Sequence, residues 1–319
     1  MRARRRKRRF WLLAFNITVL LLLLGFVTIF WSMDKSVSSD KSEIEPEKTP
    51  AQNDNLKEDE ELVEELDENE PETIIKWNPE WKYAKESQIH EDDVILYRSD
   101  ATSRKDKVIA VNAGHGTSGG SAKTTKSHPD GSPKVTGGST SKGAIVSTAI
   151  TEGMTFLDGT PEAMVNLKVA RELKSALLKA GYDVLMIRDN EDTQLDNIAR
   201  TVFANNNADC HIAIHFDSSD NDKGAFYIGV PEVESYRNME PVASFWEEHQ
   251  LLGENLIWGL RSNDVKIYGK GCMEVDLTQT SYSTIPSVDL ELGDRQSDYS
   301  GEKINQLVEG IVRGLDRFY

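Results

Sequence analysis

Cysteine is nearly absent from this chain of 319 residues: Cys210 and Cys272 are too few and too far apart for a disulfide framework or a cysteine zinc site. Cys210 sits in a strand-like run, where a small buried hydrophobe is expected, with a Cys210–Cys272 bridge as the lesser alternative. Basic residues are also scarce outside one place. Arg2, Arg4, Arg5, Arg6, Lys7, Arg8 and Arg9 are clustered, no basic stripe follows, and the formal charge is −16. That balance excludes a nucleic-acid-binding surface on the body of the chain. No repeat at solenoid periods is present, and long uncharged runs are missing except for Phe10 to Trp31.

That exception is informative. A helix over residues 10–31 is about 33 Å long at about 1.5 Å per residue, enough to cross a hydrocarbon core of about 30 Å. Trp11 and Trp31 suit the two headgroup interfaces. The basic residues 1–9 should stay in the cytoplasm, giving a single-pass protein whose remainder lies outside the cell. A cleaved secretory signal is the alternative, but its apolar core is shorter, and Phe30-Trp31-Ser32-Met33 is too bulky for a cleavage site. Residues 32–73 are rich in Glu, Asp, Ser and Pro and include Glu58-Asp59-Glu60-Glu61. Such a segment buries too little apolar surface to offset its ordering entropy, so a disordered, self-repelling linker is expected. Residues 74–106, with Trp77, Trp81 and Tyr83, read as a lead-in packed on a domain spanning 107–319.

Within that domain, apolar strand-like runs fall at 108–111, 184–187, 211–215, 225–230, 273–277 and 288–292. Helical stretches lie between them. The first begins at Thr160-Pro161-Glu162, where Thr can cap and Pro fits the first turn, and it ends at Gly181. Others run from about 192 to 206, 241 to 262 and 302 to 317. This alternation predicts a single α/β domain, with a mostly parallel or mixed sheet of about six strands flanked by helices.

Sites in α/β sheets collect at the carboxyl ends of strands. There the sequence places His115, after the strand Val108–Val111; His215, ending His-Ile-Ala-Ile-His; and Glu291, near the end of Pro-Ser-Val-Asp-Leu-Glu-Leu-Gly. Each has an ordinary explanation alone: a strand-end histidine that hydrogen-bonds, or a glutamate paired with an arginine. Glu162 alone would be dipole compensation in a helix's first turn. Two imidazoles and a carboxylate at one sheet edge together suggest a metal, since a hydrolytic zinc site needs three protein ligands and an open position.

The ordered set Gly114-His115-Gly116, Glu162 with Asn166-Leu167, Arg188, Arg200 with Ala204-Asn205, Ala208-Asp209 leading to His215, and Pro286 leading to Glu291-Leu292-Gly293 resembles the zinc-dependent N-acetylmuramoyl-L-alanine amidases that cut bacterial peptidoglycan. The likeness runs from about residue 107 to 319. It implies that His115, Glu162 and His215 hold Zn2+ and that Glu291 is the catalytic carboxylate. It also implies that the bond cut joins the lactyl group of N-acetylmuramic acid to L-alanine of the stem peptide. Asn166, one turn after Glu162, is placed to orient it.

The chain departs from the family after Glu291, where Leu292-Gly293-Asp294-Arg295 replaces the usual Gly-Phe and Ser-Asn, and at Phe216-Asp217-Ser218, which suggests a more acidic groove. Residues 116–150 are longer than the usual connection and lack an apolar period, so a long loop is expected, serving as a substrate flap or as a plug. Glu152 is a weaker rival for Glu162; His128 is expected to face solvent, and His90, His211 and His249 carry no matching context. Two other functions share these features: a zinc peptidase acting on the stem, and a non-catalytic cell-wall-binding or regulatory protein on the same fold. Wall remodelling from a membrane tether is the expected setting, and no protein activator is identified by the sequence.

Overall fold

The computed structural model describes residues 72–319. The expected membrane span at 10–31, and the linker up to residue 71, lie outside the described residues. Among those described, no helix is long and apolar enough to cross a membrane.

In chain order the elements are β1 (Glu72–Ile75), β2 (Val94–Tyr97), β3 (Val108–Ala113), β4 (Thr124–Lys126), β5 (Val146–Thr148), α1 (Glu162–Lys179), β6 (Asp183–Met186), α2 (Asn197–Asn207), β7 (Cys210–Asp217) and β8 (Ala225–Gly229). There follow α3 (Glu234–Arg237), α4 (Val242–Ser262), β9 (Ile267–Glu274), α5 (Thr278–Tyr282), β10 (Ser287–Asp294) and α6 (Gly301–Phe318). One mixed sheet of eight strands runs β1-β2-β6-β3-β7-β10-β8-β9. β6, β3, β7 and β10 are mutually parallel, as are β8 and β9, while β1, β2 and the β10–β8 step are antiparallel.

The alternation of each strand sends side chains to opposite faces. Ile109 and Val111 pack with Leu173 and Leu177 of α1, Leu252 and Leu256 of α4, and Ile304 and Leu307 of α6. Ala110, between them, joins Leu185 and the α2 residues Ala199 and Phe203 on the other face. Helices therefore cover both faces, as the periodicity predicts.

Several expectations need correction. The sheet has eight strands rather than about six, because β1, which begins in the last two residues of the supposed linker, and β2, inside the supposed lead-in, add to its edge beside β6. Each is four residues long amid charged and aromatic sequence, too short for periodicity to mark. β9 lies at 267–274, not 273–277; Gly269, Lys270 and Gly271 dilute its apolar content because it is the exposed edge strand. α1 starts at Glu162 after Pro161, with no side-chain cap from Thr160. α2 begins at Asn197, where Asp196 Oδ1 accepts from the Ala199 amide at 2.8 Å, so residues 192–196 are loop. Both cysteines are free, Cys210 in the core.

The 116–150 segment is not structureless. It contains the β4–β5 pair, and His128 is 1 % exposed rather than facing solvent. His128 Nε2 lies 3.1 Å from Asp276 Oδ2, just beyond β9. The same buried carboxylate accepts from the Val135 and Thr136 amides at 2.6 and 3.2 Å and from the Thr136 hydroxyl, and it pairs with Lys134 Nζ at 3.0 Å. Burial alone would raise the Asp276 pKa. The hydrogen bonds from His128, Thr136, Val135 and Lys134 instead hold it well below the usual carboxylate range.

Candidate active site

β3 ends in Ala113, and the chain turns through Gly114-His115-Gly116. His115 takes a left-handed backbone, φ 63°. That turn brings His115 Nε2 to 3.1 Å from Glu162 Oε2, at the first residue of α1. His215, near the end of β7, directs Nδ1 to 3.1 Å from both Glu162 Oε1 and His115 Nε2. These three residues are the His/Glu group among the described residues whose donor atoms converge closely enough to hold a metal ion.

The donor set fits zinc. Ligands about 2.0–2.1 Å from the ion at tetrahedral angles stand about 3.3 Å apart, close to the 3.1 Å separations found here. His115 Nδ1 is 2.8 Å from the Thr151 carbonyl, which can only accept, so the ring proton sits there and the Nε2 lone pair faces the cluster. Glu162 is fixed as a carboxylate: Oε2 accepts from the Met154 amide at 2.8 Å, and Oε1 from the Phe216 amide at 3.2 Å and Asn166 Nδ2 at 3.1 Å.

Glu291 lies on β10 directly beside His215 of β7. Both line a cavity of about 670 Å³ that also includes His115 and Glu162. Glu291 Oε2 is sealed from solvent without a hydrogen-bond partner among the described residues. Burial, and then the neighbouring Asp289 charge, raise the Glu291 pKa well above the ordinary value. Glu152, the rival ligand, is exposed and lies 3.4 Å from Ser121, outside the cluster.

A profile of the N-acetylmuramoyl-L-alanine amidases (amidase 3) matches residues 109–315. The chain belongs to this amidase family. Among solved structures it is similar to the N-acetylmuramyl-L-alanine amidase Ami1 from Mycobacterium smegmatis, with a TM-score of 0.54 and 16% identity over 68% of this chain and 98% of that one. It is also similar to the apo form of Ami1 from Mycobacterium abscessus, with a TM-score of 0.51 and 18% identity over 67% and 98%. At such identities the likeness shows the shared fold. No curated protein matches the sequence.

The remaining residues of the amidase pattern act by holding the site's backbone. Arg200, 1 % exposed, donates to the carbonyls of Ala113 at 2.8 Å, His115 at 2.7 Å and Leu195 at 3.0 Å. Arg188 donates to Ala113 and Gly114 at 3.0 Å each and to Ala163 at 2.7 Å. Two buried guanidiniums thus clamp the His115 turn and the start of α1. A Cβ on Gly114 would lie 2.1 Å from His215 Cε1, and one on Gly116 (φ 72°) would lie 2.8 Å from the Arg188 guanidinium, so both positions require glycine. Asp209 accepts from the Val108 amide at 2.8 Å, and Asn205 bridges the Tyr282 carbonyl and the Thr284 amide.

The 116–150 segment forms one wall of the amidase cavity through Lys134, Gly138, Ser139, Thr140, Ser147 and Thr148. Asp217, expected to make the groove more acidic, is paired with Lys223. The departure after Glu291 is built around Asp294, which is fully buried and accepts from the Asn221 and Lys223 amides at 3.0 Å. Asp289 went unrecognised in the sequence, although the two-residue spacing from Glu291 puts it on the same strand face.

Proposed function

We propose that the protein is a zinc-dependent N-acetylmuramoyl-L-alanine amidase that hydrolyses the amide between N-acetylmuramic acid and the L-alanine of peptidoglycan stem peptides. The observation that carries this reading is the convergence of His115, Glu162 and His215 beside buried Glu291 in one cavity, within a chain of the amidase family. Bound zinc would supply Lewis acidity toward the amide carbonyl and make water nucleophilic near neutral pH. Glu291 accepts the proton of the attacking water and delivers it to the departing amine of L-alanine. Asn166, Met154 and Phe216 hold Glu162 in place, and Arg188 and Arg200 hold the His115 turn.

In the same proposal, residues 10–31 anchor the chain with its N-terminus in the cytoplasm, and the acidic linker carries the catalytic domain outside, where it remodels wall near the membrane. The charge pattern of the N-terminus supports this.

The test is the mass of soluble products released from purified peptidoglycan by the full-length protein with zinc, beside Glu291→Ala. Free stem peptides beginning with L-alanine, lost in the variant and on chelation, are expected. Shortened stems still attached to muramic acid would mean a peptidase instead. Zinc binding without any product would favour a binding or regulatory role.

A further inference from the structure

We infer that Asp289 is a positioning residue for His215, standing behind the imidazole and fixing which nitrogen it offers to the metal. The inference rests on the zinc reading of the His115–Glu162–His215 cluster.

The two imidazoles are presented in opposite senses. His115 faces the cluster with Nε2 and anchors Nδ1 on a neutral acceptor, the Thr151 carbonyl, at 2.8 Å. His215 faces the cluster with Nδ1, so its Nε2 points away from it. An imidazole that gives a lone pair from one nitrogen carries its proton on the other, and that outer N–H needs an acceptor to hold the ring. For His215 the facing group is Asp289, whose Oδ2 is 3.7 Å from Nε2. Asp289 belongs behind the ring, not among the ligands, because the converging donor atoms do not include it.

Strand geometry explains the placement. β10 pairs with β7 in parallel, Glu291 opposite His215 and Asp289 opposite Ala213. Alternation puts Asp289 and Glu291 on the same face, and the small Ala213 side chain beside Asp289 leaves room for contact with the His215 ring. Asp289 also has no structural employment. Its Oδ1 is sealed from solvent without a hydrogen bond among the described residues, and its ion-pair contact is His215. A carboxylate desolvated in this way is costly, and a residue needed only for packing would be apolar. A carboxylate is suited to holding a ligating histidine, because its charge favours the proton on the outer nitrogen and makes the inner nitrogen more basic.

The test measures the zinc affinity of the full-length protein by competition with a chromogenic chelator, with zinc alone as the probe. Asp289→Asn keeps the shape and removes the charge. It should bind zinc about 10–100-fold more weakly than wild type, the usual cost of losing such a partner. Glu291→Gln, which removes a neighbouring carboxylate that makes no ion pair with His215 among the described residues, should shift affinity by less than about threefold. The metal-free D289N protein should stay folded and melt within a few degrees of wild type, since the 3.7 Å contact it alters is longer than a hydrogen bond. Wild-type affinity in D289N, or an equal loss in D289N and E291Q, would overturn the inference. So would a markedly lower melting temperature of metal-free D289N, which would show a structural role. If wild-type protein itself fails to bind zinc, the underlying zinc reading falls; if it binds and D289N binds equally well, the role of Asp289 alone falls.

Discussion

Lowering the pH from 7 to 5 should cost the wild-type protein about 2 kcal/mol more stability than a His249→Gln variant. His249 is buried in α4, where its Nδ1 accepts the Ser287 amide at 3.0 Å and its Nε2 has no partner among the described residues. Burial pushes its pKa down from 6.5 to about 3. Below pH 6.5 the unfolded chain takes up a proton at this position that the folded chain refuses, so acid favours unfolding. Stability then falls by about 1.4 kcal/mol per pH unit until the folded pKa is reached, and at pH 5 the loss is about 2 kcal/mol. The glutamine side-chain oxygen can still accept the Ser287 amide but does not titrate. Urea unfolding at pH 7, 6 and 5, with chelator present in every sample, isolates the difference. His211, similarly pushed down to about 3, chiefly by burial and then by the Arg200 charge, remains in both proteins and largely cancels. Parallel pH curves for the two proteins would refute the reasoning, because His249 would then have the same proton affinity folded and unfolded.

Asp276→Ala removes the buried anion that ties His128, Lys134 and the 135–136 backbone beneath the cavity wall. Thermal unfolding should show a loss of about 3–5 kcal/mol, and KM for peptidoglycan fragments should rise while zinc affinity stays at the wild-type value; an unchanged KM would show that the wall is not held there. Gly114→Ala drives a methyl into the His215 ring and should yield protein without zinc by metal analysis after gel filtration. Full zinc content in that variant would contradict the packing described. Glu291→Gln should keep zinc and lose about 10²–10⁴-fold in kcat, and near-normal turnover would remove Glu291 from the reaction.

The candidate site was legible in the sequence through the order of its amidase-like motifs, while local rules by themselves left each residue an ordinary explanation. His115 and His215 follow apolar strand runs, Glu162 opens a helix after Pro161, and Glu291 lies near the end of β10. Period-two alternation assigns each strand residue to a face, so the sheet and its flanking helices follow from patterning that neighbouring residues enforce. The glycines on either side of His115 were visible as a motif, but their reason was not. It depends on a His215 ring and an Arg188 guanidinium that arrive from distant strands.

Tertiary structure alone decided the rest. The nitrogen each histidine presents depends on Thr151 and Asp289, which touch the rings only after β3, β7 and β10 align. His128 looked like a solvated loop residue because its partner, Asp276, is 148 positions away. β1 and β2 were too short to announce themselves, yet the edge of β6 supplies their hydrogen-bonding partner through β2. Sequence patterning determines which face a residue occupies, since that is fixed by the few bonds around it. Which groups meet across the site is determined by strand register and by the packing of the 116–150 segment, and these exist only once the whole sheet has formed.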